Sequence, residues 1–253
     1  MSARNPRRTF MMRLAAVLVL WLAIVVVIVL WRRPNFWDEP HAWFVRAQAF
    51  ADDRRPADAL AAVDRAIARD PTNAGYIIFE GYRHLDLRNP GAAEQSFRRA
   101  LTIEPSNVEG RLGLATALAR LAKRDAAIAE LQTIPSDGLS PDELRRRSQL
   151  FDMLGAPEPA LEDLSMALKV SPNDPELLRE ATKLAQRLRD WSRAASFGFR
   201  LSEAAPDAGL KRWALEQRAA ALEKSGQLTE AFGTYQQTGS AGNLEARAWL
   251  AMR

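Results

Sequence analysis

From about residue 40 onward, small and apolar residues recur at helical spacing, and that spacing itself recurs every 34 residues. Ala59, Val63 and Ala66 stand at i, i+4 and i+7 and are followed by Pro71; Ala93, Phe97 and Ala100 repeat the spacing and are followed by Pro105. The segments DRAIARDPTN and RRALTIEPSN that close the two copies each read as a helix end with a small inward residue, then a proline stop. A period of 34 with this pattern predicts a repeat of two helices, A and B. Such a unit cannot bury its apolar face alone, so it stacks on further copies.

In chain order, the first repeat runs from 40 to 73, with Trp43, Ala47 and Phe50 on helix A and Arg54-Arg55-Pro56 at the turn. The second covers 74–107, with Gly81 and His84 on helix A and Asn89-Pro90 opening helix B as N-cap and N1. The third, 108–138, keeps Leu114, Ala115, Leu118, Ala127 and Leu131, but Pro135 cuts its helix B short. The fourth opens on Ser140-Pro141-Asp142-Glu143, a capping box, and continues through Phe151, Ala160, Leu164, Ala167 and Pro172. Pro105 and Pro172 are 67 residues apart, one short of two periods, so the third repeat lacks a residue near its close. The fifth runs from Asp174-Pro175 to Pro206, with Gly198 where a large residue is expected and Leu201 where a small one is. In the sixth, GQLTEA at 226–231 falls back into register only if about three residues are added near 207–211; Tyr235 takes the large helix B position. Gly239 and Gly242 should end that helix, and 241–253 should form a short capping helix with Leu244, Trp249 and Leu250 on its apolar side.

The register of Trp43, Ala47, Phe50, Ala59, Val63, Ala66 and Pro71, echoed down to about residue 240, resembles the tetratricopeptide repeat family. The resemblance implies an all-α fold, an α-solenoid of about six helix-turn-helix repeats over 40–240. It also implies a non-catalytic protein-binding scaffold in which helix A residues line the concave surface. In the matched register these are Phe44, Gln48, Ile78, Tyr82, Leu112 and Thr116, an apolar half with hydrogen-bonding tips. Arg145, Gln149, Arg179 and Lys183 follow as a basic half, with Arg146 and Arg187 beside them. The expected partner is a protein or peptide, with an acidic segment or terminal carboxylate in the basic half. Glu176, Glu180 and Glu216 are the acids available to neutralise that half. The lysine–asparagine clamp that some members use for chaperone tails is absent, since Phe44 and Gln48 stand at those positions.

Ahead of the repeats, Leu14 to Trp31 is an 18-residue run without a charge, long enough as a helix to span about 27 Å. The chain therefore reads as a basic tail (1–13), an N-terminal transmembrane helix (14–31), a linker (32–39) and the repeats. Trp31-Arg32-Arg33-Pro34 offers no small-residue cleavage site, which predicts a retained signal anchor. The arginines ahead of the run predict a cytoplasmic N-terminus and repeats across the membrane. Arg7-Arg8-Thr9-Phe10-Met11 also resembles the twin-arginine export motif, which would place the repeats on the same side.

Charge supports this division. The net charge of +4 arises from six arginines in the first 33 residues, where there is no acid. The remainder carries 29 basic and 31 acidic residues, an unsuitable balance for nucleic acid. The absence of cysteine excludes a disulfide framework, thiolate zinc sites and a cysteine nucleophile. His41 and His84 are isolated, no phosphate-cradling glycine loop is present, and acidic pairs such as Asp52-Asp53 and Glu162-Asp163 read as solvated helix faces. No catalytic residue, cofactor or metal is expected. Arginine makes up 30 of the 35 basic residues, which fits a GC-rich genome. In a bacterium the expected place is the inner membrane, single-pass, with the repeats in the periplasm. The role expected there is assembly or stabilisation of an envelope complex as a structural or accessory subunit. The alternative is a chaperone-like assembly factor for exported polypeptides, as in cytochrome c maturation or polysaccharide secretion.

Overall fold

The computed structural model describes residues 39–238, with Trp21 and Met252 besides. These residues form twelve α-helices and no strand. Apart from Trp21 and Met252, the expected tail, the anchor over 14–31 and the capping helix over 241–253 lie outside the described residues. No helix among the described residues is long and apolar enough to cross a membrane.

The chain divides into two units at Asn89 and Pro90, within the turn of the second repeat. The first holds α1 (Pro40–Asp52), α2 (Pro56–Arg69) and α3 (Ala74–Asp86). The second begins with α4 (Pro90–Ile103), α5 (Val108–Arg120), α6 (Arg124–Gln132) and α7 (Pro141–Met153). It continues with α8 (Pro157–Val170), α9 (Pro175–Arg187), α10 (Trp191–Ala204), α11 (Ala208–Lys224) and α12 (Leu228–Thr238).

Local chemistry starts each helix. Prolines at the first helical position open α2, α4 and α8, where a missing N–H costs nothing. Side-chain caps open most of the A helices: Asn73 Oδ1 accepts from Tyr76 N at 3.2 Å, Asn107 Oδ1 from Gly110 N at 2.9 Å, and Asp207 Oδ1 from Leu210 N at 2.8 Å. The capping box expected at 140–143 is formed: Glu143 N donates to Ser140 Oγ and Ser140 N donates to Glu143 Oε2.

Every A helix ends in the same way. Arg54, Arg88, Ala122, Gly155, Arg189 and Gly226 all have positive φ, between 57° and 81°. The next residue's N–H reaches back five residues, as in Arg55 N to Phe50 O at 2.8 Å and Gln227 N to Leu222 O at 2.9 Å, which defines a Schellman motif. The intervals between these six positions are 34, 34, 33, 34 and 37. The short interval belongs to the third repeat, where α6 has 9 residues against 14 in α2, α4, α8 and α10. The long one belongs to the sixth, where α11 has 17 residues against 13 in the other A helices. The residues expected as an insertion at 207–211 are thus absorbed as an extra helical turn.

Small residues set how closely the helices approach. Ala47, Ala59 and Ala66 in the first unit and Ala93, Ala100, Ala160 and Ala167 in the second are fully buried. The tightest fit is between Phe97 on α4 and Gly113 on α5. A Cβ on Gly113 would stand 2.2 Å from Phe97 Cε1, so the glycine is the hole that receives the ring. The departure at 198 has a similar cause. A Cβ there would lie 3.2 Å from Ala214 O and from Arg218 N, so α10 and α11 meet backbone to backbone, with Leu201 fully buried beside them.

Two measurements test this account. Gly226→Ala, whose Cβ would enter open space, should lose about 1 kcal/mol through its left-handed backbone alone, and Arg189→Gly should gain a somewhat smaller amount. Gly113→Ala should lose about 1–3 kcal/mol by overpacking against Phe97. Urea midpoints followed by circular dichroism read all three; equal midpoints for Gly113→Ala and the parent chain would refute the close fit.

Candidate partner-binding surface

A period near 34 brings a residue of one A helix beside its counterpart about 35 positions later, and the second unit uses this for charge pairing. Arg146 on α7 pairs with Glu109 on α5 at 2.6 and 2.9 Å. Arg145 on α7 pairs with Glu180 on α9 at 2.6 Å, and Arg187 on α9 pairs with Asp152 on α7 at 2.8 Å. Within α9, Arg179 pairs with Glu176 at 2.6 Å. Between α9 and α11 the link becomes neutral, Gln186 Nε2 donating to Gln217 Oε1 at 3.1 Å. The Glu180 hydrogen bond raises the pKa of Arg145, and the Asp152 hydrogen bond raises that of Arg187. Each exposed pair contributes little alone, roughly 0–1 kcal/mol. Together they link α5, α7 and α9.

This arrangement corrects the expected basic half. Arg145, Arg146, Arg179 and Arg187 are occupied by carboxylates, so the surface is a zwitterionic lattice. Lys183 differs: it is exposed, makes no ion pair among the described residues, and its Nζ lies 5.7 Å over the ring of Trp213 on α11. Gln149 is exposed and reaches Glu180 Oε1 at 3.4 Å. A cleft of about 250 Å³ opens between α7 and α9, lined by Ser148, Gln149, Asp152, Glu180, Lys183 and Arg187 over Leu164 and Leu184.

The remaining candidates divide between surface and core. Leu112 on α5 is buried, and Thr116 turns its hydroxyl back to Leu112 O at 2.7 Å. In the first unit, Gln48 is exposed, and Phe44 and Tyr82 are half-buried. Ile78 is buried; like Leu112 it packs among helices and presents no side chain to a ligand. The rings that meet Phe44 are Tyr76 at 4.7 Å and Phe79 at 5.2 Å, with Arg83 lying 4.6 Å over Phe79. Stepping 34 residues from Phe44 reaches Ile78 and passes over Tyr76 and Phe79, which a helical-wheel reading of α3 could have found. His84 is half-buried, His41 is exposed, and no group of His, Asp or Glu side chains among the described residues could hold a metal ion.

A further correction concerns Asp163. Glu162 is exposed as expected, but Asp163 on α8 is buried against Arg147 on α7. Arg147 Nε donates to Asp163 Oδ2 at 2.8 Å and a terminal nitrogen to Oδ1 at 2.5 Å. The same guanidinium donates to Ile134 O at 2.5 Å and Ser136 Oγ at 2.6 Å, in the segment that follows the shortened α6. Burial pushes the Asp163 carboxyl above the usual carboxylate range, against the opposing pull of Arg147. Arg147→Met would strand this carboxyl and should cost about 3–5 kcal/mol, most of it recovered in Arg147→Met with Asp163→Leu. Urea denaturation of the single and double variants decides the point; a double variant no more stable than the single would refute the buried-pair account.

Comparison with known proteins follows from this geometry. Residues 84–144 match the family described as tetratricopeptide repeat. No curated protein matches the chain in sequence. Solved structures share the fold. The pilF protein of Pseudomonas aeruginosa aligns with TM-score 0.57 at 16% identity, over 83% of this chain and 96% of that one. PilW, a widely conserved type IV pilus biogenesis factor, aligns with TM-score 0.55 at 18% identity, over 78% and 91%. YrrB, a tetratricopeptide repeat protein with an unusual peptide-binding site, aligns with TM-score 0.50 at 17% identity, over 71% and 93%.

Proposed function

We propose that this chain, a tetratricopeptide-repeat protein, is a membrane-anchored scaffold that holds a polypeptide partner in the cleft between α7 and α9. The observation that carries this reading is the cleft itself, with Lys183 on its wall and Leu164 and Leu184 beneath. Its volume of about 250 Å³ falls below the range usual for small-molecule sites and suits an inserted side chain. The Lys183 ammonium and the Gln149 amide are placed to meet a carboxylate or backbone carbonyl of the partner. The surrounding pairs leave little net field, so recognition rests on these contacts and on shape.

The anchor is the apolar run 14–31, with the arginine-rich tail in the cytoplasm and the repeats in the periplasm of a bacterial cell. From there the scaffold serves assembly or stabilisation of an envelope complex. A fold shared with a type IV pilus biogenesis factor and with a protein described by its peptide-binding site accords with this role.

A photo-crosslinker at Gln149 of the full chain in its native membranes should capture the partner. Lys183→Glu should weaken that capture about tenfold, the equivalent of ~1.4 kcal/mol, and Lys183→Met should weaken it less. Arg145→Glu should act differently, lowering stability by setting like charges beside Glu180. Capture that persists undiminished in Lys183→Glu would exclude this cleft as the site.

A further inference from the structure

Trp43, near the start of α1, is surrounded by arginines. The guanidinium carbon of Arg65 lies 4.4 Å from the ring centre, that of Arg46 4.8 Å and that of Arg69 5.8 Å. Arg46 comes from α1, Arg65 and Arg69 from α2, and all three residues are exposed. The indole face attracts a guanidinium but carries no net charge to cancel it. Arg46 and Arg65 make no ion pair among the described residues, unlike the arginines of α7 and α9.

We propose that this cluster is a docking surface for anionic phospholipid headgroups. Guanidinium is the side chain best shaped for phosphate oxygens, and tryptophan is favoured at the membrane–water boundary. The location in the chain selects a lipid surface over other anions. Residues 32–39 are all that separate the apolar run from α1, and eight residues reach at most about 29 Å. This proximity rests on the anchor reading above. Within such a leash the headgroups are present at high effective concentration, so contacts that are weak in free solution become occupied. The first unit would then lie on the bilayer through this patch, with the linker serving only as its connection.

The natural absence of cysteine makes a clean test possible. The full chain carries a polarity-sensitive fluorophore at Ala49→Cys, one turn from Arg46, or at Gln236→Cys, on α12 of the second unit, as a control. It is reconstituted in vesicles of phosphatidylcholine alone or mixed with phosphatidylglycerol. Emission at 49 should shift to the blue only with phosphatidylglycerol, and emission at 236 should not move. Arg46→Glu with Arg65→Glu should abolish the shift without loss of helicity by circular dichroism, whereas Arg46→Lys with Arg65→Lys should retain most of it. Inorganic phosphate added to phosphatidylcholine vesicles should leave emission at 49 unchanged; a shift there would assign the site to a free anion and overturn the proposal. Equal emission in the two lipids, or a shift that survives charge reversal, would also overturn it. Flotation with phosphatidylcholine vesicles reads the anchor separately: a chain that fails to float there but shows the shift on adding phosphatidylglycerol vesicles loses the anchor and keeps the docking surface.

Discussion

Two helices can lie close together only where the side chains between them stop at or near Cβ, and this chain meets that condition at a fixed pitch. Ala59 and Ala66, Ala93 and Ala100, and Ala160 and Ala167 are all fully buried at matching points of α2, α4 and α8. Where one partner is a large ring, as at Phe97, the facing residue is reduced to Gly113. The pitch then governs the A helices as well, since it fixes which of their residues become neighbours. The paired charges of α5, α7 and α9, and the cleft between the last two, follow from the spacing of the small residues.

Much of this was legible in the sequence because the signals are local. Prolines, capping residues and small residues carry their meaning within one or two turns. The deficit of one residue in the third repeat and the surplus of three in the sixth both reappear as intervals between left-handed turn residues. The turns themselves were only half visible. Gly155 and Gly226 announce a positive φ, but Arg54, Arg88, Ala122 and Arg189 adopt it without any compositional sign. The repeat geometry imposes the conformation there, and the left-handed penalty is small enough for packing to override.

The binding surface was less legible because its properties belong to pairs of residues far apart in the chain. Arg145 and Arg187 read as part of a basic strip, and Glu176 and Glu180 were visible as acids that could neutralise it, but which acid meets which arginine was not. Their carboxylate partners stand 35 residues away, on a helix whose alignment depends on the whole repeat. Asp163 misled for the same reason. Beside the exposed Glu162 it resembles a solvated face, and only the position of Arg147 on the preceding helix explains its burial.

The buried pair also shows how an irregular repeat is accommodated. Because α6 stops after 9 residues, the segment that follows must leave the helix with backbone carbonyls still to satisfy. Arg147 meets that segment: its planar donors reach Ile134 O and Ser136 Oγ, and Asp163 neutralises the charge from the other side. The same logic distinguishes two sets of arginines. Arg145, Arg146 and Arg187 face another repeat and are matched there by acids, while Arg46 and Arg65 lie over the Trp43 ring and make no ion pair among the described residues. An arginine held in place but not neutralised remains able to bind an anion, and that distinguishes a docking surface from a structural one.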